Sequence, residues 1–336
     1  MSRIGYILRC IAGMDYKNLF LTVGRVHKKS GKARIPLFVD IVKCGFKYGA
    51  GYKDYELLEW WNLNASQRAT YITRGVNNSL INKCNDPDER HVLHNKHEFN
   101  TLFADTLGRK WLKFSDASFE DFEKFIQGLD FILIKPNDAN CGHGIQKLAV
   151  NDFSDTKALY DHISSTGCDI AEEYIIQHPE MSRMYPCSVN TIRVVTLLDD
   201  KGESHIMYAA VRLGNEGRIV DNINAGGLSA PVDLETGLLS NVAFDKNFNY
   251  YDEHPYTGVE IVGFKIPLWD EAKALVLESA KRIPKLRYVG WDVAITENGP
   301  VFVEANHHPG HDIIQMPRHT PDKIGMLPKF KEYINI

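Results

Sequence analysis

Two patterns of apolar and polar positions divide this chain. Up to residue 110 the order reads as mostly helical, with helices predicted at Tyr16 to Lys29 and at Pro36 to Tyr48, the latter carrying Pro36 in its first turn. A further helical stretch is predicted at 87–107. Beyond residue 110, short apolar runs alternate with turns and a few amphipathic helices. Strands are predicted at 111–114, 131–136 and 169–176, and helices at 119–128, 153–166 and 270–283. Residues 191–199 and 205–213 read as a hairpin around Asp200-Lys-Gly, and 288–295 with 301–305 as two closing strands. Residues 215–265 read as looped. The predicted class is α+β: a mainly helical region over 1–110, then two lobes over 111–176 and 177–336.

Composition narrows the classes. A length of 336 residues suits about two domains, or one with an extension. Hydrophobic residues at 44% and charged residues at 24% exclude a largely disordered chain. A net charge of −4 argues against nucleic acid as a partner, since binding to phosphate backbones calls for a basic excess. No apolar run approaches the roughly 18 residues of a membrane span, and Arg9 interrupts the N-terminal apolar stretch, which spoils a signal-peptide core. Six scattered cysteines without a CxxC read as reduced thiols, so a cytoplasmic location is expected. His27-Lys-Lys-Ser-Gly-Lys-Ala-Arg34 forms a basic turn, read as a solvated loop or as a contact for an anionic substrate or a membrane surface. Tyr55, Trp60 and Trp61 are expected in the core.

The stretch from Gly290 to Gly310 carries the most chemistry. Glu297-Asn-Gly-Pro300 between two apolar runs predicts a hairpin. Glu304 and Asn306 lie two apart and share a face. Asp292 joins them only if it pairs with Glu304, which requires a loop centred on residue 298, for example a three-residue turn with Gly299 left-handed in a bulge. Two carboxylates and an amide oxygen meeting there form a hard oxygen site suited to Mg²⁺. Upstream, Lys135 ends an apolar strand and precedes a loop holding Gly142 and Gly144, a point charge beside backbone N–H groups that can approach phosphate. Ile170-Ala-Glu-Glu-Tyr-Ile-Ile176 is a strand of acidic then apolar residues. The histidines of His307-His-Pro-Gly-His311 look like a zinc cluster at first sight, but Pro309 and Gly310 argue for a bent loop.

These three elements, in this order, resemble the ATP-grasp superfamily over residues 90–315. More narrowly, Gln177-His-Pro, Ser188-Val-Asn-Thr-Ile-Arg193, Val211-Arg-Leu-Gly, Val220-Asp-Asn with Gly226-Gly227, and Gly290-Trp-Asp-Val-Ala-Ile-Thr resemble the sugar-transfer-associated ATP-grasp proteins of polysaccharide synthesis. The resemblance implies an ATP-grasp fold, two α+β lobes gripping ATP. It implies that Lys135 and Lys96 contact phosphates, that the backbone of Glu173 and Ile175 reads adenine beside Tyr174, and that Glu172 stands at the hinge. Asn190 or Thr191 takes the ribose position. Arg193 and Arg212 would face the transferring phosphoryl group, and Asp292, Glu304 and Asn306 would hold one or two Mg²⁺ ions, with Mn²⁺ as a substitute. Asn222 to Gly227, with Gly226 and Gly227, would lie near the γ-phosphate, and His307 and His308 would line the acceptor pocket.

The implied activity is ATP-dependent ligation of a small-molecule carboxylate to an amine through an acyl phosphate, with a sugar or sugar nucleotide among the substrates. The same fold hosts kinases acting on hydroxyl groups, and a nucleotide-binding scaffold without catalysis is the non-enzymatic alternative.

Overall fold

Where the chain leaves its helical pattern it builds two antiparallel sheets. The computed structural model describes Gly13, residues 15–137 and residues 144–336. The first sheet has four strands in the order β1-β4-β2-β3, namely β1 Trp111–Lys113, β2 Phe131–Lys135, β3 Gln146–Ala149 and β4 Ile170–Glu173. Alternation sends Ile132, Ile134 and Ala171 to one face, where Phe122, Phe125, Leu159 and Ile163 of helices Phe119–Ile126 and Thr156–Thr166 cover them. The other face carries Leu133, Lys135 and Glu172.

The second sheet runs in the order β11-β10-β5-β6-β7-β8-β9. Its strands are β5 Thr191–Leu198, β6 Ser204–Leu213, β7 Leu228–Val232, β8 Ala243–Phe244, β9 Tyr250–Tyr251, β10 Tyr288–Thr296 and β11 Gly299–Asn306. Ile192, Val194, Ala209, Val211, Trp291 and Val293 pack with Ala272, Val276 and Ala280 of helix Trp269–Lys281. Arg193, Arg212 and Asp292 therefore point to the opposite face.

Both sheets belong to one compact unit, Cys84–Pro309, while the residues up to Lys83 form another with Gly310–Ile336. In the latter, helices Tyr16–Ser30, Arg34–Tyr48 and Tyr52–Leu57 enclose Leu19, Val26, Leu37 and Ile41, and Tyr55, Trp60 and Trp61 are buried among them as expected. The C-terminal segment is held there by Gln315, whose Oε1 accepts from Ile72 N–H at 2.9 Å and whose Nε2 donates to Ile72 O at 2.9 Å.

Two stretches differ from their sequence pattern. The predicted helix at 87–107 breaks into short pieces, because Asn95 leaves helical geometry and its side chain accepts from His97 and Glu98 N–H, starting a new helix at Lys96. The looped stretch 215–265 contains β7, β8 and β9. Every residue of β7 is buried, which erases the alternation by which a strand is read, and the other two strands have only two residues each.

Candidate active site

One cleft is bounded by the cleft faces of both sheets. In the second sheet three neighbouring strands put charged residues in one row: Arg193 pairs with Asp292 across β5 and β10, and Asp292 with Glu304 across β10 and β11. The register was expected, but its device is different. The turn has two residues, Glu297 and Asn298, and the extra residue is Val303, a bulge between the Asp292–Glu304 and Val293–Phe302 pairs. The bulge lets Phe302 and Ala305 both join the core while Glu304 and Asn306 turn to the cleft. Gly299 still has a positive φ, 129°.

The electrostatics of this row are opposed. Arg193 Nε donates to Asp292 Oδ1, Arg193 Nη2 donates to Oδ2 at 2.9 Å, and Arg212 Nη1 donates to Oδ2 at 2.8 Å. Burial would raise the Asp292 carboxyl, yet the two guanidinium groups outweigh it and hold the carboxyl at about 2. Glu304 goes the other way, raised by burial and by the adjacent Asp292 charge. Asn306 Nδ2 donates to Glu304 Oε1 at 3.3 Å. Asp292, Glu304 and Asn306 thus share one face and one hydrogen-bonded group.

The first sheet answers with a buried charge cluster. Glu172 lies diagonally from Lys135, and Lys135 Nζ stands 2.8 Å from its Oε1. Arg109 Nε donates to Glu172 Oε2 at 3.1 Å, and Asn100 Nδ2 donates to Oε1 at 2.9 Å. Burial opposes ionisation of Glu172, but Arg109 and Lys135 prevail and bring its carboxyl to about 2. Arg109 also donates to the Phe302 and Val303 carbonyl oxygens, at 2.5 and 3.4 Å, and so ties this cluster to the bulge. Arg109 and Asn100 carry no sequence signal, being 63 and 72 residues from the glutamate they hold.

Most of the expected nucleotide residues line this cleft: Lys96, Lys135, Glu172, Glu173, Tyr174, Ile175, Arg212, Asn222, Asp292 and Glu304. The N–H of Glu173 is engaged, donating to Lys110 O at 2.9 Å, so that donor does not face a ligand. Lys96 opens its helix, and its Nζ donates to Asn137 O at 2.5 Å, at the start of the glycine loop. Gly144 has φ +75°, and a Cβ there would stand 2.9 Å from Pro136 Cγ. Gly142 lies outside the described residues.

Asn190 requires a correction. It is fully buried, its Nδ2 donates to Met181 O and Tyr185 O at 2.9 and 2.8 Å, and its Oδ1 accepts from Gly214 N–H. It ties loops together behind the cleft. Thr191 lines the cleft instead, donating from N and Oγ1 to Asp221 Oδ2. Burial raises the Asp221 carboxyl; this residue is the aspartate of the Val220-Asp-Asn motif. Gly226 and Gly227 shape the Asn222 loop, Gly226 with φ +100°.

A second cavity shares Lys96, Lys135, Val303 and Glu304 with the first and adds His94, Asn306, His307 and His308. Burial, then the nearby Arg90 charge, depress His307 to about 4, which keeps it neutral at pH 7. Its carbonyl oxygen accepts from Asn85 Nδ2 at 2.7 Å. His311 Nε2 instead lies 3.4 Å from Asp54 Oδ1. Among the described residues no three of His, Cys, Asp or Glu gather as a metal cluster, and no disulfide joins Cys44, Cys84, Cys168 or Cys187. No helix among them is long and apolar enough to cross a membrane.

A family model described as sugar-transfer associated ATP-grasp matches residues 75–323. No curated protein matches. Among solved structures, the ATP-grasp ligase PsnB complexed with a minimal precursor aligns at 14% identity over 74% of this chain, with a TM-score of 0.42. The chain spans 61% of the PsnB chain. D-alanine–D-alanine ligase from Bacillus anthracis aligns at 14% identity over 77% of this chain and 74% of its own, with a TM-score of 0.43. D-cycloserine synthetase DcsG aligns at 10% identity over 71% and 70%, with a TM-score of 0.41.

Proposed function

This chain belongs to the sugar-transfer-associated ATP-grasp family, and from that premise we propose that it is an ATP-dependent carboxylate–amine ligase. The observation that carries the reading is the pair Asp292–Glu304, lining one cleft with Arg212, Lys135 and Lys96, with Asn306 in the adjoining cavity and Arg193 bound to Asp292 from the neighbouring strand. A triphosphate needs cations along its oxygens and a divalent ion between them. The cleft offers ammonium and guanidinium groups together with a hard oxygen donor set.

The donor set fits Mg²⁺. It comprises two carboxylates and an amide, and each ionised carboxylate has about four lone-pair positions, more than its arginine partners use. Burial, then the Asp292 charge beside it, raises the Glu304 carboxyl, and a bound cation would favour its ionised form. Asp292, Glu304 and Asn306 would hold the ion, which when bound would neutralise charge on the phosphate oxygens. Lys135 and Lys96 bind α- and β-phosphates as point charges. Arg193 and Arg212 hold Asp292 in place and lie close to where charge develops as the γ-phosphoryl group moves.

In the reaction, a substrate carboxylate oxygen attacks the γ-phosphorus as its bond to the β–γ bridging oxygen breaks, giving an acyl phosphate and ADP. An amine then attacks the carbonyl carbon, loses a proton, and phosphate leaves with the carbon–oxygen electron pair. His94, His307 and His308 line the cavity next to Glu304 and serve as the acceptor wall. The family's association with sugar transfer supports a sugar acid or amino sugar as one substrate and a role in surface-polysaccharide synthesis, in the cytoplasm.

The test is an ADP-release screen pairing uronic acids with amino acids and amino sugars, with mass spectrometry of products. The ligase reading expects an amide together with ADP and free phosphate. Phosphate covalently retained on the acceptor would replace it with a kinase. Nucleotide binding without turnover for any pair, and indifferent to Asp292→Asn, would favour a scaffold.

A further inference from the structure

The basic turn at 27–34 is absorbed by nothing in the cleft. It joins helices Tyr16–Ser30 and Arg34–Tyr48, whose inner faces build their unit's core. Their outer faces are apolar as well. On the first helix Phe20 is 62% exposed and Leu21 50%; on the second, Ile35 is 79% exposed, with Val39 and Phe46 open to solvent. Ile35, Val39, Val42 and Phe46 follow helical spacing, so they form one stripe of about 16 Å. Phe20 stacks on Phe38 with ring centroids 5.7 Å apart, which joins the two helices into one surface.

The charge around this surface is one-sided. Residues 16–48 hold eight lysines and arginines (17, 25, 28, 29, 32, 34, 43 and 47) against one acidic residue, Asp40, a net +7 in a chain whose total is −4. All eight cations are exposed. Asp40 is taken by Arg68, and Glu56 by Arg25 and Lys29. Among the described residues, no ion pair forms at Lys17, Lys28, Arg34, Lys43 or Lys47. We propose that the outer face of this helical pair docks reversibly on an anionic lipid bilayer. Its apolar stripes enter the headgroup boundary and its lysines and arginines meet the lipid phosphates.

The charge selects the occupant. A symmetric second copy would bring this face against itself and oppose like positive charges, with Lys17, Lys28, Arg34, Lys43 and Lys47 on both sides. Nucleic acid would satisfy the cations but leave Phe20, Ile35 and Phe46 in water. An anionic bilayer satisfies both at once, because long basic side chains reach the headgroups while apolar neighbours lie deeper.

The experiment is flotation of the full chain with vesicles of phosphatidylcholine alone, or of equal parts phosphatidylcholine and phosphatidylglycerol. The chain is expected to float with the mixed vesicles and to stay behind with the neutral ones. Partitioning should fall at least tenfold in about 1 M salt, where the screening length shrinks to about 3 Å. Each basic residue near such a surface is worth about fivefold, so K28E/R34E should lower partitioning at least tenfold, and I35S/F46S should lower it comparably. Far-UV circular dichroism and thermal unfolding check that both variants, changed only at exposed positions, remain folded. Failure to bind the mixed vesicles, equal binding to neutral ones, or indifference to salt and to K28E/R34E overturns the proposal. A concentration-dependent dimer without vesicles that I35S/F46S abolishes would assign the face to a second copy.

Discussion

Replacing Glu172 by glutamine removes one negative charge from between two buried cations. Glu172 is 2% exposed, and its oxygens meet Lys135 at 2.8 Å and Arg109 at 3.1 Å. Its carboxyl is held at about 2 against an ordinary 4.5, a depression worth about 3 kcal/mol at neutral pH. Removing one partner of a buried ion pair costs about 3–5 kcal/mol, because the remaining charge stays buried without compensation. The two routes agree, so Glu172→Gln should lower the opening free energy of the first sheet by about 3 kcal/mol. Hydrogen exchange read by mass spectrometry over peptides 131–135 and 170–173 should then accelerate by about 150-fold at neutral pH. Because the folded carboxyl titrates low, this contribution is fully present above the ordinary carboxyl value and disappears as pH falls through about 2. The difference between wild type and variant should therefore narrow toward that pH. Acceleration below about fivefold at pH 7 would mean that Glu172 is not what compensates the two cations.

Three further outcomes follow from the same geometry. Asn85 is 1% exposed, donates to Tyr288 O and His307 O and accepts from Tyr288 N–H; Asn85→Ala should destabilise its unit by about 2–4 kcal/mol in urea unfolding. A Cβ at Gly227 would stand 2.3 Å from Asp221 O and 2.8 Å from Leu213 O, so Gly227→Ala should displace the Asn222 loop and raise the KM for ATP more than tenfold. Glu304 is raised by burial and by Asp292, so Mg²⁺·ATP binding just above the ordinary carboxyl range should release a proton; calorimetry in buffers of different ionisation enthalpy would register it, and identical heats in all buffers would contradict it.

The legible part of this fold is the part where chemistry interrupts a periodic pattern. Glu304 stands out because it breaks an apolar run, and its pairing with Asp292 follows from strand alternation once the faces must match. The resemblance to the ATP-grasp superfamily rests on the same residues, and the family match confirms it. The bulge at Val303 was hidden because a single extra residue can sit in the turn or inside the strand with the same sequence. Arg109 and Asn100 were hidden because contacts across some seventy residues leave no local trace. Asn190 misled because a buried polar residue that knots loops and one that faces a ligand have the same sequence signature. The packing of Gly310–Ile336 with the N-terminal residues is spread over single long-range bonds, Gln315 to Ile72 and Leu327 N–H to Thr70 O among them, which leave no local pattern.

The central claim is that Asp292, Glu304 and Asn306 act together as the cation side of a nucleotide cleft. Titration of a non-hydrolysable ATP analogue into wild type and Glu304→Gln, each with and without Mg²⁺, puts it most directly to the question. Wild type should bind at least tenfold more tightly with the ion present, and the variant should show little such gain. Equal Mg²⁺ dependence in both proteins, or binding that ignores the ion altogether, would contradict it.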